Sequence, residues 1–161
     1  MSEVIKVGMA DYKISRNPNS LISYGLGSCV GIALYDGVNK IGGLAHIMLP
    51  DSTQARVSEN PAKFADTALP LMLSEMIKMG AMKGRITAKI AGGAQMFTFA
   101  NATDVMRVGE RNTAAVRMLL KKMDIRLLAD DTGGNYGRTV ELKTDTGIYR
   151  VKTIAQGEKE L

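Results

Sequence analysis

The sequence predicts an α+β layered domain with mixed sheets, because short strand-like segments outnumber helical ones and two adjacent apolar segments flank one turn. The pair is Val30 to Tyr35 and Ile41 to Leu49, joined by Asp36-Gly37-Val38-Asn39. Both segments are apolar on both faces, so this hairpin should be buried on both sides. Two longer stretches carry helical spacing.

The elements follow in order. The first 30 residues read as turn-rich, broken by Asn17-Pro18-Asn19-Ser20. A helix is expected from Pro61 to Met79, capped by Asn60 with Pro61 at its first position. Phe64, Ala68, Leu71, Glu75 and Met79 share its spacing, and Gly80 stops it. Pro70 conflicts with a continuous helix: it kinks the helix, or the helix begins near Thr67. Ile86 to Ala91 is a strand ending at Gly92-Gly93. A second helix runs from about Asn112 to Met123, with Ala115, Val116, Leu119, Leu120 and Met123 toward the core. Ile125 to Ala129 is a strand, and Asp131-Thr132-Gly133-Gly134 a turn. Arg138 to Lys143 and Ile148 to Ile154 form a hairpin around Thr144-Asp145-Thr146-Gly147. The charged tail from about residue 156 should fray.

Composition narrows the classes. The chain of 161 residues suits one domain, taken as 1–161, and its 45% hydrophobic content suits a packed core. Eleven Met and no Trp suggest Met as core filler. No signal peptide opens the sequence and no apolar run spans a bilayer, so a cytoplasmic protein without membrane insertion is expected. A single Cys cannot form an internal disulfide. The net charge of +5 favours an acidic partner modestly. Nucleic acid is not expected, since no dense Lys/Arg block occurs and aromatics are 5%. One Cys and one His cannot build the usual structural zinc site, so neither metal nor cofactor is expected. Asp130-Asp131 before Gly133-Gly134 reads as a turn rather than a carboxylate site.

Chemistry concentrates on that Cys and His. If Asp36 pairs with Asn39 across the turn, the same register carries Cys29 opposite His46 on one face. A thiol and an imidazole so placed are a nucleophile and its base. The imidazole takes the thiol proton, and the thiolate attacks an amide carbonyl. A partly exposed, readily alkylated Cys29 follows from that pairing. Gly25-Leu26-Gly27-Ser28 before the Cys lets a substrate approach the backbone, so amides at Gly27 and Ser28 are candidates for binding an oxyanion. Ser23 and Ser28 are the nearby hydroxyls that could orient the imidazole. A lone Cys beside Val30 is also a common small core hydrophobe, and a lone His on an apolar strand a common hydrogen-bonded core residue. Spacing alone does not choose between these readings.

A set of segments carries a resemblance. Gly25-Leu26-Gly27-Ser28-Cys29-Val30, Gly43-Leu44-Ala45-His46-Ile47-Met48-Leu49-Pro50 and Phe64-Ala65-Asp66-Thr67-Ala68-Leu69-Pro70-Leu71 come first. Lys89-Ile90-Ala91-Gly92-Gly93-Ala94-Gln95-Met96-Phe97, Val108-Gly109-Glu110-Arg111-Asn112, Asp131-Thr132-Gly133-Gly134 and Gly137-Arg138 complete the order. Together, over roughly residues 4 to 155, the chain resembles the chemoreceptor glutamine deamidase family, CheD. The resemblance implies a cytoplasmic bacterial or archaeal chemotaxis protein that hydrolyses glutamines on receptor cytoplasmic helices to glutamate. It implies a layered sandwich of mixed sheets with flanking helices, similar to the cytotoxic necrotising factor-type cysteine hydrolases. Catalytic Cys and His carry over to Cys29 and His46, and a third position, often Thr, falls on Ser23. Docking to a CheC-type phosphatase is implied as well. The alternative is a non-catalytic chemotaxis module that only docks to such a phosphatase, and a small-molecule amidase is a third reading.

Overall fold

The computed structural model of the chain describes residues 2–54, 60–96 and 107–161. Phe97 of the resemblance segments lies outside these residues.

Two five-stranded mixed sheets stack face to face, and two helices cover the outer face of one of them. This bears out the α+β layered class. The first sheet contains β1 (Val4–Lys6), β3 (Ser20–Leu26), β8 (Arg138–Lys143), β9 (Tyr149–Lys152) and β10 (Glu158–Glu160), in that order. The second has the order β2 (Asp11–Arg16), β5 (Ile41–Ile47), β4 (Val30–Asp36), β6 (Ile86–Gly92) and β7 (Arg126–Thr132). Among the described strands only β1 with β3 and β6 with β7 run parallel. The helices are α1 (Ala65–Lys78) and α2 (Val108–Lys122).

The strand period of two separates the cores. Val30, Ile32 and Leu34 of β4 and Ala45 and Ile47 of β5 face α1 and α2. Cys29, Ala33 and Leu44 face the other way, against Leu21, Leu26, Val140, Leu142, Tyr149 and Val151 of the first sheet. Central strands β4 and β5 are therefore buried on both faces, as their uninterrupted apolar sequence requires.

Several expectations are corrected. The first 30 residues form three strands, with the Asn17–Ser20 segment as the turn between β2 and β3. The central hairpin pairs Asp36 with Ile41, not with Asn39, so its loop is four residues long. Asp36 sets that length: its buried carboxylate accepts from the N–H groups of Val38 and Asn39, from the Asn39 amide and from the N–H of Met82. On α1, Asn60 caps a 3-10 turn over Pro61–Lys63, and the α-helix starts afresh at Ala65. Pro70 lies inside that helix on its exposed side, neither in its first turn nor at its end. The buried face is Ala68, Leu69, Met72, Leu73 and Met76, while Leu71 and Glu75 are exposed. Helix α2 begins at Val108, one turn before Asn112, and its buried residues are Gly109, Asn112, Val116 and Leu120. Strand β7 runs on through Asp130 and Asp131 to Thr132, where a turn had been expected. Asp131 is ion-paired with Arg138 and Lys159. The tail pairs as β10 against β9 instead of fraying, held by mutual backbone bonds of Tyr149 and Leu161.

Asp36 gives a testable consequence. Burial alone would raise its carboxyl, but the donors from Met82, Asn39 and Val38 outweigh burial and hold it below the usual carboxylate value. Asp36→Ala strands several donors and should destabilise the fold by about 3 kcal/mol in urea titrations. Because the folded value is lowered, the charge-linked part of the contribution is fully present above about pH 4 and is lost as pH falls through the lowered folded value. The gap between wild type and Asp36→Ala should therefore narrow in acid.

Candidate functional site

The true hairpin register moves the pairing by two residues, so His46 sits opposite Gly31 and not opposite Cys29. An even shift preserves the face. Cys29 and His46 thus lie diagonally on the same side of the second sheet, both turned toward the first. Gly31 makes that arrangement feasible. A Cβ there would meet the Tyr149 hydroxyl at 2.6 Å and Leu26 at 3.0 Å, so any side chain would wedge the sheets apart beside the imidazole.

Ser23 reaches His46 from the first sheet. It lies on β3 opposite Val140, just before an irregularity in pairing that spans Tyr24 and Gly25. Its side chain is fully buried, whereas Tyr24 and Gly25 are exposed. The hydroxyl is 2.7 Å from the carbonyl oxygen of Val7 and 2.8 Å from Nδ1 of His46.

These two contacts fix the imidazole tautomer. A hydroxyl has one proton, and a carbonyl can only accept. The proton of Ser23 goes to Val7, so the Ser23 oxygen accepts from an Nδ1–H. The remaining lone pair of His46 is then on Nε2. That atom is buried and has no hydrogen-bond partner among the described residues. An unpaired basic nitrogen in the interior is costly, and such atoms concentrate where chemistry needs them.

Burial governs both protonation states. It lowers the His46 value, favouring neutral imidazole. It raises the Cys29 thiol, and the residue's own N–H lowers it less. Cys29 is only 8% exposed. The expectation of a partly exposed, thiolate-rich cysteine is corrected: the side chain is buried, and burial moves both Cys29 and His46 toward their neutral forms.

Ser28 does not orient the imidazole. Its carbonyl instead accepts from the Asn112 side-chain amide at 2.9 Å, and the same amide donates to Met48 at 2.9 Å. Gly27 and Ser28 are half-buried beside the cysteine, with Met96 against Gly27. The sequence reading missed Asn112, although an Asn at the spacing of Val116 and Leu120 on an apolar helix face was a visible signal. Among the described residues no group of three His, Cys, Asp or Glu is gathered to hold a metal ion, and no helix is long and apolar enough to cross a membrane.

Known proteins were then compared with this chain. Probable chemoreceptor glutamine deamidase CheD of Syntrophomonas wolfei is 56% identical over 159 residues, covering 99% of each chain. The protein of the same description from Clostridium botulinum is 54% identical, covering 98% of this chain and 97% of its own. Among solved structures, a hypothetical protein YfiH of Bacillus licheniformis overlaps 76% of this chain and 50% of its own, at 17% identity and a TM-score of 0.49. The family model described as CheD chemotactic sensory transduction matches residues 48–153. With near-complete coverage at such identity, the chain belongs to the CheD chemotactic sensory transduction family.

Proposed function

We propose that the protein is a cysteine hydrolase that converts glutamine side chains on chemoreceptor cytoplasmic helices to glutamate, releasing ammonia. The observation that carries this reading is the buried, unpaired Nε2 of His46, on the sheet face that the register gives to Cys29 as well, with Nδ1 held by Ser23. The description of its relatives as chemoreceptor glutamine deamidases supports the substrate class.

The proposed steps use Cys29, His46 and Ser23. Nε2 of His46 takes the Cys29 proton as the sulfur attacks the side-chain amide carbon. The carbonyl oxygen becomes an oxyanion, which N–H groups near Gly27 and Ser28 can stabilise. The imidazolium, its Nδ1–H still bonded to Ser23, gives its proton to the departing ammonia. A water then loses a proton to Nε2 and attacks the thioester, freeing glutamate and restoring the thiol. A non-catalytic module docking to a CheC-type phosphatase would need neither the oriented imidazole nor the nucleophile.

Three outcomes test the reading. Cys29→Ala should abolish deamidation of a receptor cytoplasmic fragment, read by mass spectrometry, while fragment binding persists; undiminished deamidation removes Cys29 as the nucleophile, and wild-type protein that binds the fragment without deamidating it leaves only the docking role. Ser23→Ala should lower turnover at least about tenfold in a folded protein, with Ser23→Thr close to wild type. The pH profile should also be broad. Burial moves His46 below its ordinary value of about 6.5 and Cys29 above the ordinary thiol range, so kcat/KM should hold level between those limits. A narrow bell centred near neutrality would contradict the neutral resting pair.

A further inference from the structure

The loop that delivers Cys29 has an unusual hydrogen-bond balance. Its three consecutive carbonyls are all held. Gly27 accepts from the N–H of Ala94, Ser28 from the Asn112 side chain, and Cys29 from the N–H of Gly93. Its N–H groups are not: those of Gly27 and Ser28 donate to no acceptor among the described residues, and that of Cys29 faces only its own sulfur.

The clamp on this loop is rigid. Gly109 of α2 packs on the backbone of Gly93 and Ala94, where a Cβ would stand 2.3 Å from the Ala94 oxygen. One helical turn later, Asn112 is fully buried. Both its hydrogen-bond partners are carbonyl oxygens, so only its NH2 group can face them, and both protons are committed. Its second bond, to Met48, ties the strand end beyond His46 to the same point.

The geometry points to Asn112 as a positioning residue for the oxyanion site. By holding the Ser28 carbonyl toward α2, it turns the N–H of the same trans peptide, that of Cys29, toward the reaction centre. Carbonyl and N–H of a trans peptide point in opposite directions, so fixing one aims the other. A hydrogen bond to the carbonyl also polarises the amide and strengthens its N–H as a donor. The inference rests on the hydrolase reading above and adds a residue that touches neither sulfur nor imidazole.

The test separates this role from general support of the site. Alkylation of Cys29 by iodoacetamide needs the thiolate but forms no oxyanion, whereas deamidation needs both. Asn112→Ala, shown to be folded by circular dichroism, should lose at least about tenfold in kcat while KM and the alkylation rate stay within about twofold. Unchanged kcat, or alkylation falling in step with kcat, overturns the role. If Asn112→Ala does not fold, Asn112→Leu, of similar volume, carries the same comparison. A further measurement uses the wild type alone. A receptor-derived peptide with an aldehyde in place of the glutamine carboxamide adds the Cys29 S–H across its C=O bond. The Cys29 amide proton should then shift downfield in the NMR spectrum, and a stationary resonance overturns the proposal. Wild-type protein that fails to deamidate overturns the hydrolase reading together with this one; active wild type beside equally active Asn112→Ala removes only the role of Asn112.

Discussion

The single proton of the Ser23 hydroxyl is the constraint on which the site turns. Shared between a carbonyl that can only accept and a nitrogen that can do either, it leaves one arrangement: Ser23 donates to Val7 and accepts from His46. The imidazole cannot rotate without breaking that bond in a buried setting, where an unmade hydrogen bond is expensive. Everything nearby respects this. Gly31 keeps the space opposite His46 clear, and the Tyr149 hydroxyl uses it to donate to the Gly31 carbonyl. The sheets can therefore approach closely enough for a side chain on one to orient a base on the other.

Placement between two sheets also explains the resting electrostatics. A solvated Cys–His pair favours charge separation through mutual attraction. Here burial disfavours both charged forms, raising the Cys29 thiol and lowering the His46 imidazole. A buried cysteine whose burial favours the thiol is also a poor target for oxidants, which attack the thiolate.

Much of this was legible in the sequence, and the errors have physical causes. Unbroken apolar runs in Val30 to Tyr35 and Ile41 to Leu49 revealed doubly buried strands, because side chains on both faces meet a packed layer. Register was misjudged because Asp36 looks like a turn residue, while its carboxylate belongs to a longer loop and to Met82 across the sheet edge. The face survived because the error was even. The phase of α1 was misread because Phe64 precedes the helix and shares its spacing only by coincidence. Closeness in sequence offered Ser23 and Ser28 alike as hydroxyls for the imidazole, and the resemblance singled out Ser23; nothing local indicates that β3 would meet His46 from another sheet. The early strands were missed because β1 pairs with β3, and β3 with the distant β8, neither of which a local window records.

That long-range pairing has a consequence for how the protein comes into being. Ser23 lies opposite Val140, so the strand that steers the imidazole is anchored only when a segment well over a hundred residues downstream has been synthesised. Contacts so far apart in the chain form late and slowly, since the intervening loop must first be closed. Cys29 and His46 are close in sequence and can meet early, but without the opposing sheet their imidazole is free to turn and water is free to enter. The nascent polypeptide on the ribosome therefore carries His46 without the contact that fixes its imidazole, and pairing of β3 with the late-emerging β8 supplies it.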